Sequence, residues 1–198
     1  MINDPGEMTE NISLLELKKN DTVYSWNEKN TIFAKAEVQP QKALFSQIGV
    51  GAKAVTFTVW KQDITLDNAF SWCGKHCFLT DINEVGRMYY EITAALVEPK
   101  TCILERQDET TDEYNGSNRS APKAVYTFPG CIVEKYMGFQ KLNPQSRVEA
   151  KYVLVTPKVI GLSIGDLIEA DGKTYNVQLA HMLDDFKNEY EISIVGEG

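Results

Sequence analysis

The residues most ready for chemistry stand in one short run, Trp72-Cys73-Gly74-Lys75-His76-Cys77. Two thiols and an imidazole so close together are the donor types of a redox centre or of a zinc site. A thioredoxin-like pair needs two residues between its cysteines, at a helix start. Here three residues intervene, and the Cys-Gly dipeptide signals a hairpin turn. Zinc held by Cys73, His76 and Cys77 needs a fourth ligand, and Cys102, Cys131 and His181 all lie far off in sequence. The run is therefore expected to be a hairpin with a buried thiol, and neither a metal nor a cofactor is expected. The four cysteines are too scattered for a disulfide scaffold and read as free thiols in a reducing compartment. The histidines, Ser71 and Ser163 form no catalytic triad, and Asp108-Glu109 and Asp184-Asp185 read as solvated turns. Gly49-Val50-Gly51 lacks the Lys-Ser/Thr of a phosphate-binding loop. No catalytic residue is expected, and the chain is not expected to be an enzyme.

The elements that hold these residues read as strands. Val55, Phe57 and Val59 alternate with Thr56 and Thr58. Tyr90, Ile92, Ala94 and Leu96 alternate with more polar neighbours, and so do Tyr175, Val177 and Leu179, and Tyr190, Ile192 and Ile194. A period of two places one set inward and the other outward. Turn signals fall at Cys73-Gly74, Asn115-Gly116, Pro129-Gly130 and Asp171-Gly172. Gln41–Gln47 is a candidate for a turn or two of helix, and Ser13–Lys19 for helix or strand.

The 198 residues are 43% hydrophobic and 24% charged, which excludes disorder and coiled coil as the main architecture. No stretch approaches the roughly 20 apolar residues of a membrane-spanning helix, and a polar, acidic start predicts no secretory signal. The net charge of −8 divides equally between residues 1–99 and 100–198. Neither half has the basic excess of a domain that grips DNA.

An internal repeat stands out. The Gly-Lys pairs Gly74-Lys75 and Gly172-Lys173 lie 98 residues apart, and Tyr90-Glu91-Ile92 and Tyr190-Glu191-Ile192 lie 100 apart. Val55–Trp60 matches Val153–Lys158 at 98. Asp63-Ile64-Thr65-Leu66 matches the lead-in Gly165-Asp166-Leu167-Ile168, and Leu15-Glu16 matches Leu104-Glu105 more loosely. The expected fold is mainly β, with two small antiparallel β-barrel or sandwich domains in tandem over 1–99 and 100–198.

The second half carries Leu104-Glu105-Arg106, then Thr111-Asp112-Glu113-Tyr114-Asn115-Gly116, Gly165-Asp166-Leu167-Ile168, Asp171-Gly172-Lys173-Thr174-Tyr175-Asn176-Val177 and Tyr190-Glu191-Ile192. In these segments it resembles the phage head-tail joining family, also called head-closure, head-completion or stopper proteins. The resemblance implies a non-catalytic virion protein of the neck, assembled in the bacterial cytoplasm as a homo-oligomeric ring of 6 or 12 chains. Its partners would be a portal or adaptor protein and a tail terminator or tail completion protein. Packaged DNA would pass through without specific binding, and no membrane would be involved. In that family the connection before the matching strand lines or plugs the channel. The corresponding candidates here are Gln47, Gly49, Gly51 and Lys53 in the first half and Lys141, Asn143, Gln145 and Arg147 in the second. The alternatives are a tail-side component, such as a tail completion protein or tail-tube adaptor, and a metal-binding or enzymatic host β module built on the Cys73–Cys77 hairpin.

Overall fold

The computed structural model describes residues 5–106, 109–112, 116–119, 123–136 and 151–196. A single 3-10 turn, Pro5–Glu7, precedes the strands. The strands of the first half are β1 (Glu10–Asn20), β2 (Val23–Ala43), β3 (Ala52–Trp60), β4 (Asn68–Trp72), β5 (Lys75–Val85) and β6 (Tyr89–Val97). They pair antiparallel in the order β1-β4-β5-β6-β3-β2, and β2 returns to β1, so the sheet closes on itself. The strands of the second half are β7 (Lys100–Arg106), β8 (Glu109–Asp112), β9 (Gly116–Arg119), β10 (Lys123–Glu134), β11 (Tyr152–Pro157), β12 (Leu167–Ala170), β13 (Lys173–His181) and β14 (Lys187–Ile194). β8 and β9 form a separate hairpin. The other six pair as β7-β12-β13-β14-β11-β10, and β10 returns to β7. The protein is thus mainly β, built on closed six-stranded antiparallel barrels, which leave no sheet edge unpaired.

The two rings agree in register as well as order. Glu10 pairs with Ala34 as Lys100 pairs with Gly130. Leu14 pairs with Phe70 as Leu104 pairs with Ile168. Phe57 pairs with Ile92 as Leu154 pairs with Tyr190, and Leu79 pairs with Ala94 as Val177 pairs with Ile192. Even the irregularities coincide. One extra residue, Lys29 or Val125, bulges β2 and β10; another, Thr80 or Gln178, bulges β5 and β13. Bulges re-aim a strand and bend the sheet, so matching bulges give both barrels the same curvature.

The true offsets differ from those read in the sequence. They are 90 residues for β1 and β7, 96 for β2 and β10, 97 for β3 and β11, and 98 for the remaining three pairs. The match of Val55–Trp60 to Val153–Lys158 at 98 is off by one, and an odd slip turns every side chain to the other face. Val55, Phe57 and Val59 fill the first barrel, whereas Val153 and Val155 point out of the second. The Tyr-Glu-Ile match at 100 is off by two: Tyr190 occupies the position of Ile92. Leu104 is the counterpart of Leu14, not of Leu15.

Two local expectations also fail. Pro129-Gly130 is no turn but lies within β10, at the point where the strand passes from pairing β7 to pairing β11 at Cys131. A Cβ on Gly130 would come within 2.7 Å of Leu154 Cδ1, so the corner is closed by a residue without one. Its counterpart, the fully buried Ala34, stands where β2 passes from β1 to β3. No helix forms over Gln41–Gln47: β2 runs on to Ala43 and the chain then bends. Ser13–Lys19 is strand, inside β1.

Candidate functional site

The Cys73–Cys77 hairpin is set by its turn. Cys73 and Gly74 have φ of 51° and 72°, and Asp171 and Gly172 repeat them at 51° and 70°. Two successive positive φ values match the twist of a tight hairpin. Cys73 is exposed at the tip while Cys77 faces the first barrel's core, so the two thiols point apart. Burial pushes the thiols of Cys77, Cys102 and Cys131 up to about 12, far from the thiolate that reacts or binds metal. The His76 ring lies 5.2 Å from Trp26, and burial lowers its pKa to about 4. Its Nε2 is fully occluded and has no hydrogen-bond partner. Among the described residues no three His, Cys, Asp or Glu side chains converge as a metal centre would need.

The lead-in to this hairpin is shared, but through a different residue from the one its sequence suggests. Asn68 Oδ1 accepts from Thr65 N at 2.9 Å, and Asp166 Oδ2 accepts from Ser163 N at 2.8 Å, 98 residues on. Asp63 is instead exposed and salt-bridged to Lys29. In the second barrel the turn is fixed further by Arg106, whose Nε and Nη2 each donate to Asp166 at 2.8 Å.

Of the eight candidate channel residues, Lys141, Asn143, Gln145 and Arg147 lie outside the described residues. The other four sit on one segment, which the fold places between the barrels. After β2 the chain runs over the outer face of β10, β11 and β14. Val50 N donates to Glu134 O at 2.8 Å and Tyr136 N to Ile48 O at 3.0 Å. Phe45 and Phe78 of the first half pack with Cys131, Val153 and Val155 of the second, the two rings 5.2 Å apart and edge-on. Gly49 allows close approach: a Cβ there would lie 2.5 Å from Val133 Cγ2. Gly51 approaches Ala43 O in the same way. Gln47 contributes its backbone N–H to this joint. Lys53 alone leaves the joint, at the open end of the first barrel.

Beneath the segment lies a group that sequence patterning missed. Lys187 and Glu189 are both almost fully buried and ion-paired to each other. Lys187 Nζ also donates to Phe45 O at 2.7 Å. Glu189 accepts from Ser46 Oγ at 2.8 Å and from Gln47 N at 3.0 Å. Ser46 Oγ in turn accepts from Gly49 N at 2.8 Å. Lys-Asn-Glu leading into a strand reads as a solvated face, and only coverage by residues 45–49 buries it. A second, half-buried contact flanks the joint: Lys135 and His181 both bond Glu191. Burial raises the Glu191 carboxyl, but these two hydrogen bonds outweigh it and leave the pKa below its ordinary value.

The interior of the second barrel is the more polar. Tyr190 OH donates to Ile160 O at 3.0 Å and accepts from Leu162 N at 3.1 Å. Asn188 Nδ2 donates to the carbonyls of Lys158 and Ile160, both at 2.9 Å. These bonds pin the 158–162 connection over the barrel end. The first barrel has Tyr90 and Ile92 at the same positions, and its corresponding connection is held by a backbone bond from Lys61 N to Met88 O at 2.8 Å. No family of proteins, no curated protein and no solved structure matches the chain.

Proposed function

We propose that the chain is a non-catalytic structural protein of a tailed-phage neck, acting in head completion and head-tail joining. It would assemble as a ring between a portal or adaptor protein and a tail terminator or tail completion protein, with packaged DNA passing the centre. What supports this reading is that the segments resembling the head-closure family, other than residues 111–116, build the second barrel. Leu104-Glu105-Arg106 forms the β7 side, Asp166 and Arg106 fix the lead-in turn, and Asp171-Gly172 turns β12 into β13. The first barrel repeats that plan strand for strand, so each chain offers two units of one architecture. Residues 44–51 act in this reading as the strap that fixes one barrel on the other, and the channel contacts fall to other surfaces.

Imaging particles from a phage carrying a disrupted copy of the gene tests the assignment. The expected result is heads that lose DNA and fail to join tails, restored by the intact gene. Joined, DNA-filled particles in its absence would overturn it.

A further inference from the structure

The open end of the first barrel forms a recess of about 530 Å³, lined by Lys53, Gly74, Lys75, His76, Leu96 and the Val97–Pro99 segment. Alternation explains its chemistry. Lys53 continues the inward series of Val55, Phe57 and Val59, and Lys75 continues that of Cys77 and Leu79. Both ammonium groups therefore stand on the lumen-facing register at the rim, above the apolar Leu96. Lys42 is paired directly across from Lys53 on β2, and like charges in that position destabilise a sheet. Among the described residues Lys42, Lys53 and Lys75 have no carboxylate partner. The rim carboxylate Glu98 lies in the field of Lys100, and Glu10 bonds the Trp72 indole N–H at 3.1 Å. His76 borders the same recess, from the opposite face of β5.

The second barrel carries a different charge pattern at its mouth. There Asp171, at the turn position of Cys73, pairs with Lys100. The first barrel has a cysteine at that turn in place of the carboxylate, in a chain whose net charge is −8.

We propose that this mouth binds a phosphomonoester, with the phosphate at Lys53 and Lys75 and the organic part on Leu96, Val97 and Pro99. The ligand is chosen by charge and shape. A phosphomonoester carries about −1.5 to −2 near neutral pH, which two to three ammonium groups balance. Lysines bind phosphate as compact point charges with three donors each. The volume falls within the usual range of about 300–1,000 Å³ for small-molecule sites, which include the mouths of barrels. The proposal is independent of the assembly role.

Titration calorimetry at low salt tests it, with adenosine 5′-monophosphate, inorganic phosphate and adenosine as probes. The monophosphate is expected to bind one per chain, adenosine not at all, and inorganic phosphate at least about tenfold more weakly. Lys53→Ala removes a phosphate contact, and Cys73→Asp installs the carboxylate of the second barrel. Each is expected to weaken the monophosphate about tenfold or more with the circular dichroism unchanged. Lys173→Ala, the counterpart of Lys75 in the second barrel, is expected to bind like the parent. Absence of monophosphate binding at millimolar concentration would overturn the proposal. So would equal affinity for inorganic phosphate, or parent-like binding by Lys53→Ala.

Discussion

The two barrels have one backbone plan and two divisions of labour between their faces. On the first, the outward positions of β2, β3 and β6 include Lys35, Glu37, Thr56 and Glu91. On the second, the same positions are Cys131, Val133, Val153 and Glu189, covered by Phe45 and Phe78 of the first barrel. Inside, the polarity reverses: Val59, Tyr90 and Ile92 face Thr156, Asn188 and Tyr190 as counterparts. The difference teaches that strand order and register tolerate a change of chemistry on either face, with most of the new buried polar groups finding partners. It also shows that the joint is heterologous. The first barrel offers Phe78 and Ala95 to it, while their counterparts in the second, Asn176 and Ser193, are polar. The second barrel therefore cannot pass the same contact to another copy, and the proposed ring would have to use other surfaces.

Four measurements sharpen this contrast. The largest effect is expected at the covered ion pair. Glu189→Ala leaves the Lys187 ammonium buried with its main counter-charge gone, a loss of about 3–5 kcal/mol. Its counterpart Glu91 is exposed, and Glu91→Ala should stay within about 0.5 kcal/mol. Urea unfolding of both variants reads the difference, and equal effects would break the assignment of the burial to the joint.

Acid stability comes next. His76 has a folded pKa of about 4 against 6.5 for the ordinary imidazole. The unfolded chain therefore binds the proton first. The contribution is complete above pH 6.5 and is lost as the pH falls towards 4, by about 1–3 kcal/mol. Its counterpart in the second barrel is Thr174, which has no proton to take. His76→Leu should flatten the pH profile of stability in that window, and an unchanged profile would refute the cause. Glu191, with its depressed pKa, adds a further loss at lower pH, as the falling pH passes through the folded pKa of its carboxyl.

Gly49→Ala should cost about 1–3 kcal/mol, because the new methyl meets Val133 in the packed joint. Gly161→Ala, with open space around it, is the control and should change little in thermal unfolding. The smallest effect is expected from Cys73→Asp, below about 1 kcal/mol. Aspartate already occupies that positive-φ position in the second barrel, and it suits such turns. A larger loss would show that the two hairpins are less alike than their dihedrals.

Much of the fold was legible in local chemistry. Period-two patterning marked β3, β6, β13 and β14, and the Cys73-Gly74 and Asp171-Gly172 turns marked their hairpins, because backbone sterics act within a few residues. The repeat was visible for the same reason, since its best-matching elements are turns. Its register was not. The one-residue error at β3 and β11 was hidden because Tyr152–Pro157 is buried on both faces, so hydrophobicity carried no alternation to read. The Pro129-Gly130 corner looked like a turn because the same dipeptide serves where a strand changes partners.

The sequence by itself determined that this is a β protein with a duplicated plan, and where its tight turns fall. Only the tertiary structure decided that residues 44–51 form a strap over the second barrel. It alone decided that Lys187 and Glu189 are buried beneath that strap, and that Lys53 and Lys75, 22 residues apart in the chain, share one barrel mouth. The reason is physical: burial and charge pairing depend on what covers a face. In a closed barrel that cover comes from strands and segments distant in sequence, such as Ser46 on Glu189.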